Sequence, residues 1–285
     1  MPHHPSGVIP YPSGGACTVI NATWEDALSP LSLPGPVTCV VTSPPYNIGK
    51  RMRAGAGSLE DRLSETAYVS WLLKFLDRCS KVLAPGGSIF LNIGFKPAAP
   101  ETPIMVAARA IEAIRAGRLG LHLVNVISWV HSIVTPDGAR GHFTPLQWDT
   151  FLNQSWEYVF HFSNVLRPKM DRKAIGVPHQ DPRNAARFGK GWRCRGNVWF
   201  VPYATVVRKT PHRAIFPVGL ADLCIRFSGI SEKTIVLDPF AGSGTTGVAA
   251  LKARVPRTVL IEKDATSYAE SINRIKNEVF KCHQT

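Results

Sequence analysis

The chain has 285 residues, 33 Lys and Arg against 20 Asp and Glu, and a formal charge of +13; its mean hydropathy is -0.01. This length suits one large core, or one core with an appended module. No apolar run approaches the roughly 20 residues that a bilayer-crossing helix needs. The positive excess points to a polyanionic partner, with nucleic acid ahead of an anionic membrane surface.

The first residues, MPHHPSGVIPYPSGG, are rich in Pro and Gly and read as a loose arm over 1–16. They lack the cationic and then apolar pattern of a secretory signal. The six cysteines (Cys17, Cys39, Cys79, Cys194, Cys224 and Cys282) include no C-x-x-C pair, and no histidine pair completes a zinc pattern. Cys39, Cys79 and Cys224 sit among apolar residues as small core side chains. All six are expected as reduced thiols of a cytoplasmic protein without a metal site.

Short β-rich runs then alternate with helical patterns, the signature of an α/β fold with a parallel sheet covered by helices. Strands are predicted at 37–41, 88–93, 121–130, 156–162, 234–237 and 257–261. Helical stripes fall on Tyr68, Leu72, Phe75, Leu76, Cys79, Val82 and Leu83, on Ile104, Ala107, Ala108, Ile111 and Ile114, and on Tyr268, Ile272, Ile275 and Val279. These are core positions.

The first strand runs into Ser43-Pro44-Pro45-Tyr46. Two prolines stop further sheet pairing and hold the backbone in an extended turn. A polar, Gly-containing stretch follows at 50–64 and carries Lys50, Arg51 and Arg53. It is either an ordinary solvated loop or one that closes over a substrate and touches phosphates. Residues 163–195 hold Arg167, Lys169, Arg172, Lys173, Arg183, Arg187, Lys190, Arg193 and Arg195 against only Asp171 and Asp181. A long, basic segment without aliphatic periodicity is functional or disordered, and it suits a nucleic-acid backbone.

Near the C-terminus, 235–247 read IVLDPFAGSGTTG. A buried strand ends at Asp238-Pro239-Phe240, Gly242 and Gly244 allow a tight turn, and a helix starts at Thr245-Thr246. Such a loop lets a ligand approach the backbone and offers it the unpaired N–H groups of a helix start. The string lacks the Lys of a phosphate-binding P-loop. The next strand ends in Glu262, an acid placed to accept from both hydroxyls of a ribose. This arrangement resembles the cofactor loop of DNA amino-methyltransferases, whose ligand is S-adenosylmethionine.

Ser43-Pro44-Pro45-Tyr46 fits the same chemistry. An exocyclic base amine is a poor nucleophile because its lone pair is delocalised into the ring. Two acceptors aimed at its N–H bonds, the Ser43 hydroxyl and the Pro44 carbonyl, favour a pyramidal nitrogen. Tyr46 offers a face for a base removed from the duplex. Catalysis would be positioning and electrostatics, with direct in-line transfer.

With both motifs in this order, the chain resembles the β group of DNA amino-methyltransferases over nearly its whole length. Leu83-Ala84-Pro85-Gly86-Gly87 is similar to the family's L-x-P-G-G turn. His212-Arg213-Ala214-Ile215-Phe216-Pro217 is similar to its H-P-A-x-F-P segment, which helps enclose the cofactor, with Arg213 in place of the usual Pro. The resemblance implies a Rossmann-like class I methyltransferase fold with a central, mostly parallel sheet and a basic target-recognition insert. Its parts would be the arm, a catalytic half at 17–162, recognition at 163–197 and a cofactor half at 198–285.

The resemblance also implies that the strands before Ser43 and Asp238 are neighbours, and that the partner is double-stranded DNA, bound by a monomer or a homodimer. Ser at position 43 is more typical of cytosine N4 enzymes, Asp of adenine N6 enzymes. Cytosine C5 chemistry needs a thiolate after Pro, and no Pro-Cys pair occurs. The alternatives are adenine N6 methylation, methylation of RNA or protein, and a DNA-binding regulator on an inactive scaffold. One departure stands out: 19–24 lack the family's acid for the cofactor adenine, with Asp26 offset onto a helix and Trp24 an adenine neighbour or a core residue.

Overall fold

Apolar side chains on successive strand residues leave the sheet by opposite faces, so a run such as Ile235-Val236-Leu237 needs cover on both sides. The structure, a computed structural model, describes residues 4–47, 63–95, 101–141, 152–188, 191–203, 216–282 and 284. In chain order its elements are β1 Ser6–Pro10, β2 Ala16–Asn21, α1 Trp24–Ala27, β3 Val37–Thr42, α2 Glu65–Ser80, β4 Leu83–Ile93 and α3 Thr102–Arg115. There follow β5 His122–Val130, β6 Ile133–Thr135, β7 Gly138–Arg140, β8 Trp156–Ser163, α4 Pro182–Phe188, β9 Val198–Phe200, α5 Val218–Ser228, β10 Ile235–Asp238, α6 Thr245–Lys252, β11 Arg257–Glu262 and α7 Ala265–Cys282.

One sheet has the order β1-β2-β11-β10-β3-β4-β8-β5-β9, and β6 and β7 form a separate hairpin. Strands β2, β11, β10, β3 and β4 run parallel. Strand β8 is antiparallel to both of its neighbours. This is the Rossmann-like α/β fold that the sequence implies. Ile235 and Leu237 pack with Val40, Trp24 and the α2 residues Tyr68, Leu72, Phe75 and Leu76. Val236 packs on the other face with Cys39, Val41, Leu220 of α5 and Ala249 of α6. All six cysteines are free, and Cys17, Cys39, Cys79 and Cys224 are buried. No helix among the described residues is long and apolar enough to cross a membrane.

Three expectations need correction. The arm is not loose: Ser6–Pro10 pairs antiparallel with β2, Ile9 and Tyr11 are buried, and Tyr11 Oη donates to Gly247 O or Thr258 Oγ1, each at 3.3 Å. Two β-prone runs, Val8-Ile9 and Cys17-Thr18-Val19-Ile20, flank a turn of Pro and Gly, which is a hairpin pattern.

The stripe read on α3 is displaced. Its buried face is Thr102, Pro103, Val106 and Ala110, while Ile104 is 55% exposed and Ala108 is exposed. This helix carries Ala, Ile, Val or Met on most sides, so periodicity alone does not orient it.

The third correction concerns the segment between β8 and β9, where the sequence shows neither a strand nor a helix pattern and reads as a stretch without regular structure. It is not structureless: it contains α4, a bridge between Val177 and Arg193, and a buried Ile175.

Candidate active site

Strands β3 and β10 lie side by side, with Cys39 opposite Val236 and Val40 opposite Leu237. Their carboxyl ends release the Ser43 loop and the Gly-rich loop next to each other, as the sequence implies. A buried carboxylate ties the two together. Asp238, 0% exposed, accepts from Thr42 Oγ1 at 2.7 Å, Thr246 Oγ1 at 2.6 Å and Phe240 N at 3.1 Å. Burial pushes its carboxyl up to about 6, against the pull of those three donors. Asp238 and Thr246, which the sequence groups with the cofactor contacts, are thus turned inward as the strut between the loops.

In the Ser43 loop, Pro44 is buried and Ser43, Pro45 and Tyr46 are half-buried. Tyr68 Oη of α2 donates to Pro45 O at 2.7 Å. The Tyr46 hydroxyl is a hub. It lies 2.9 Å from Ser43 Oγ, 2.8 Å from Asn92 Oδ1 and 2.8 Å from Glu157 Oε2. Glu157, on β8 and 6% exposed, also accepts from Asn92 Nδ2 at 2.9 Å and from Tyr203 Oη at 3.1 Å. Gly94 makes room: a Cβ there would lie 2.5 Å from Tyr46 Cε2 and 3.1 Å from Glu157 Cδ. The sequence reading gives Asn92, Gly94, Glu157 and Tyr203 no role. The available signal was an acid inside the apolar run W-E-Y-V-F-H-F, since an unpaired carboxylate is rarely buried.

The Gly-rich loop has left-handed backbone at Gly242 (φ 52°) and Gly244 (φ 80°), conformations that disfavour other residues. At Gly244 a Cβ would also lie 3.0 Å from Ser271 Cβ. Glu262 braces the loop: Oε2 accepts from Gly242 N and Oε1 from Asp264 N, both at 2.8 Å. Each oxygen of a carboxylate can accept more than one donor, so these two bonds do not by themselves exhaust the acceptor sites of Glu262. Arg274 of α7, also missed in the sequence, reaches Ser243 Oγ and Thr245 Oγ1 from behind, both at 3.0 Å. Phe240 packs on Trp71 and Phe75, with ring centroids 5.5 and 5.1 Å away.

Trp24 belongs to the same aromatic group, 5.5 Å from Phe75. Its buried Nε1 has no acceptor among the described residues. Asp26 does lie on the short helix α1, where it bonds Thr23. Asn21, at the end of β2, faces Glu262. The donors, the acid and the aromatic wall fit an adenosine-type ligand. Phe216 packs on the α5 side of the core, and Pro217 caps the N-terminus of α5. His212 to Ile215 lie outside the described residues.

Of the predicted phosphate and base contacts, Lys50, Arg51, Arg53 and Lys190 also lie outside them. The ends of the first of these segments are held together, because Asn47 Nδ2 donates to Leu63 O at 2.7 Å and Leu63 N donates to Asn47 Oδ1 at 2.9 Å. Arg167, Lys169, Arg172, Lys173, Arg183, Arg187 and Arg193 are exposed, and Arg195 is half-buried. Arg183 pairs with Asp181 at 2.7 Å, and Arg195 Nε donates to Ile175 O at 3.0 Å.

The basic segment leaves the sheet at the edge away from Ser43. Asn164 bonds Gly86 N and Ala84 O, each at 2.9 Å. That is the level of Val37, which faces Leu83, six residues and so about 20 Å along the strand from Ser43. At the Ser43 edge, the β6–β7 hairpin follows β5 and exposes Ile133, Val134 and Arg140.

A family model described as DNA methylase, of the N6/N4 type, matches residues 37–272. The chain belongs to that family. It is 27% identical over 222 residues to the type II methyltransferase M.ScaI of Streptomyces caespitosus, covering 74% of this chain and 66% of that protein. With M.Cfr9I of Citrobacter freundii it is 27% identical over 290 residues, covering 89% and 86%. With M.HpaI of Haemophilus parainfluenzae the match spans only 59% of the relative's length. Among solved structures, the cytosine-N4-specific PvuII DNA methyltransferase shares the fold with a TM-score of 0.67 at 20% identity, over 96% of both chains.

Proposed function

We propose that this protein transfers a methyl group from S-adenosylmethionine to an exocyclic amine of a base flipped out of duplex DNA, and that the amine is N4 of cytosine. The observation that carries this reading is the Asp238 junction, which sets an amine-accepting serine beside a nucleotide-type loop. Ser at position 43 and the fold shared with a cytosine-N4-specific enzyme support the choice of base over adenine N6. A protein of the same fold, M1.HpyAVI, has been solved as a complex with the same cofactor, at 16% identity and a TM-score of 0.55.

The cofactor supplies an electrophilic methyl group. Glu262 would hold its ribose, Phe240 and the Gly242–Gly244 backbone would line its site, and Trp24 Nε1 is the buried donor available to it. Ser43 Oγ and the Pro44 carbonyl accept from the amine, and Tyr46 stacks on the base. The test is to express the chain in a host lacking DNA methyltransferases and to digest the host DNA for mass spectrometry. N4-methylcytosine is expected. N6-methyladenine overturns the base, and no methylated base overturns the function. Calorimetry on Glu262→Ala should show cofactor binding weakened by about tenfold or more, one charge-assisted hydrogen bond's worth; unchanged affinity removes Glu262 from the site.

Target recognition is assigned to 163–197 together with the β6–β7 hairpin. Arg167 and Lys169 follow the far-edge anchor at Asn164, so alanine there should weaken binding to all duplexes, lowering the salt slope by about one each. Arg140 projects from the near edge. Arg140→Ala should instead relax preference at one base pair by about 1–3 kcal/mol. Competition between matched and single-mismatch duplexes separates the two; the reverse pattern moves recognition to the basic segment alone.

A further inference from the structure

Glu157 is buried, belongs to no motif read in the sequence, and sits at the inner end of a chain of hydroxyls that begins at Ser43. Resting on the function proposed above, we propose that Glu157 is the positioning residue and proton sink of this site, acting through Tyr46 on Ser43. The distances are 2.9 Å from Ser43 Oγ to Tyr46 Oη and 2.8 Å from Tyr46 Oη to Glu157 Oε2.

The direction of the hydrogen bonds follows from charge. An ionised carboxylate only accepts. Tyr46 therefore donates to Glu157, its oxygen accepts from Ser43, and the outward lone pairs of Ser43 face the substrate amine. A protonated Glu157 removes that bias: Tyr46 turns its proton to Asn92 Oδ1 or to Ser43, and Ser43 then points its own proton outward. Asn92 holds the carboxylate from the side, donating to Oε2 at 2.9 Å and to Tyr158 O at 3.1 Å.

The same chain disposes of the proton that the reaction releases. As the amine nitrogen bonds to the methyl carbon, the carbon–sulfur bond breaks and its electron pair stays on sulfur. The nitrogen then sheds one proton and keeps the bonding pair. That proton passes to Ser43 Oγ, the Ser43 proton to Tyr46 Oη, and the Tyr46 proton to Glu157 Oε2. The carboxyl returns it to solvent when the product leaves.

Burial raises the Glu157 carboxyl above the ordinary range, although Tyr46, Asn92 and Tyr203 all pull it down. A raised value suits a group that must collect a proton near neutral pH. Among the described residues, the titratable groups on this carboxylate are Tyr46, from the loop after β3, and Tyr203, after β9. Burial moves both phenols upward, so they stay neutral. His131, whose ring lies 4.6 Å from that of Tyr203, is pushed down to about 4 and is neutral as well.

The experiment measures single-turnover transfer of tritiated methyl to genomic DNA from a methyltransferase-deficient host, from pH 5 to 9, for wild type, Glu157→Gln, Tyr46→Phe and Ser43→Ala. Wild type should lose rate as pH falls through a value above that of ordinary glutamate. Glu157→Gln should be about 100-fold slower at pH 8, with cofactor affinity unchanged and the acid limb gone. Tyr46→Phe, which removes only the hydroxyl, should do the same. In the free protein, infrared difference spectra between wild type and Glu157→Gln should show the carboxyl band protonating above the usual glutamate range, and Tyr46→Phe should shift that titration. If Ser43→Ala is inactive while Glu157→Gln or Tyr46→Phe keeps the wild-type rate and acid limb, the relay is overturned and the function stands. If Ser43→Ala keeps full rate, the chemistry lies elsewhere and the relay falls with it; if wild type transfers no methyl group to DNA, the function itself falls.

Discussion

Replacing Ser43 by alanine is expected to slow methyl transfer by about 10²–10³-fold, the usual cost of removing one preorganised group that acts at the reacting atom. The substitution removes one oxygen at the end of β3 and little else. Tyr46 keeps Asn92 and Glu157 as partners, Tyr68 still holds the Pro45 carbonyl, and the Thr42–Asp238 link to the cofactor loop is untouched. The loss should therefore fall on turnover and not on cofactor affinity. Single-turnover transfer and calorimetry, run on the same preparation, separate the two. Wild-type turnover would place the chemistry elsewhere. Equal loss of affinity and rate would make Ser43 a cofactor contact.

Asp238 should show the largest effect on stability. Alanine there strands the Thr42 and Thr246 hydroxyls and the Phe240 N–H in a site closed to water. At about 1–3 kcal/mol for each unsatisfied group, with Thr246 able to turn toward Val41 O, the net cost is about 3 kcal/mol. Asparagine keeps the shape and one acceptor oxygen, and it separates charge from structure. Burial raises Asp238 to about 6 from 3.8, so between these values the folded state holds a proton that the unfolded state has lost. Stability from this group is full below pH 4, falls as pH rises to 6 and is level above it, a span of about 3 kcal/mol. Urea unfolding of wild type against Asp238→Asn should show the difference between them moving in favour of asparagine across that window. Parallel pH profiles would mean that the carboxylate is solvated.

What could be read in the sequence was local and periodic. The runs around 37–41 and 234–237 declare strands because β-branched residues follow one another without polar breaks. Asp238 to Thr246 declares a strand, turn and helix start because Gly242 and Gly244 permit backbone that other residues resist. The basic run at 163–195 stands out by charge alone. Less was legible where the signal is weak or divided: α3 is apolar on most sides, and the N-terminal hairpin is masked by its prolines and glycines.

The candidate site was half legible for the same reason. Ser43 and Glu262 sit at strand ends within compact motifs. Glu157, Asn92 and Tyr203 are scattered over three strands and their ends, with no spacing that links them. The family's order of motifs implied that the Ser43 and Asp238 strands are neighbours, but nothing in either string determines it.

The sequence by itself determined the central strands and the helices that cover them, the two loops and the chemistry each loop can offer, since these depend on side chains close together along the chain. Only the tertiary structure decided that Asp238 is a strut, that Tyr46 ends on a buried carboxylate, and that the basic segment starts about 20 Å along the strands from Ser43. Those outcomes depend on strand order, register and burial: a parallel sheet brings residues about 200 positions apart into hydrogen-bond range, and exclusion of water then makes each such contact count.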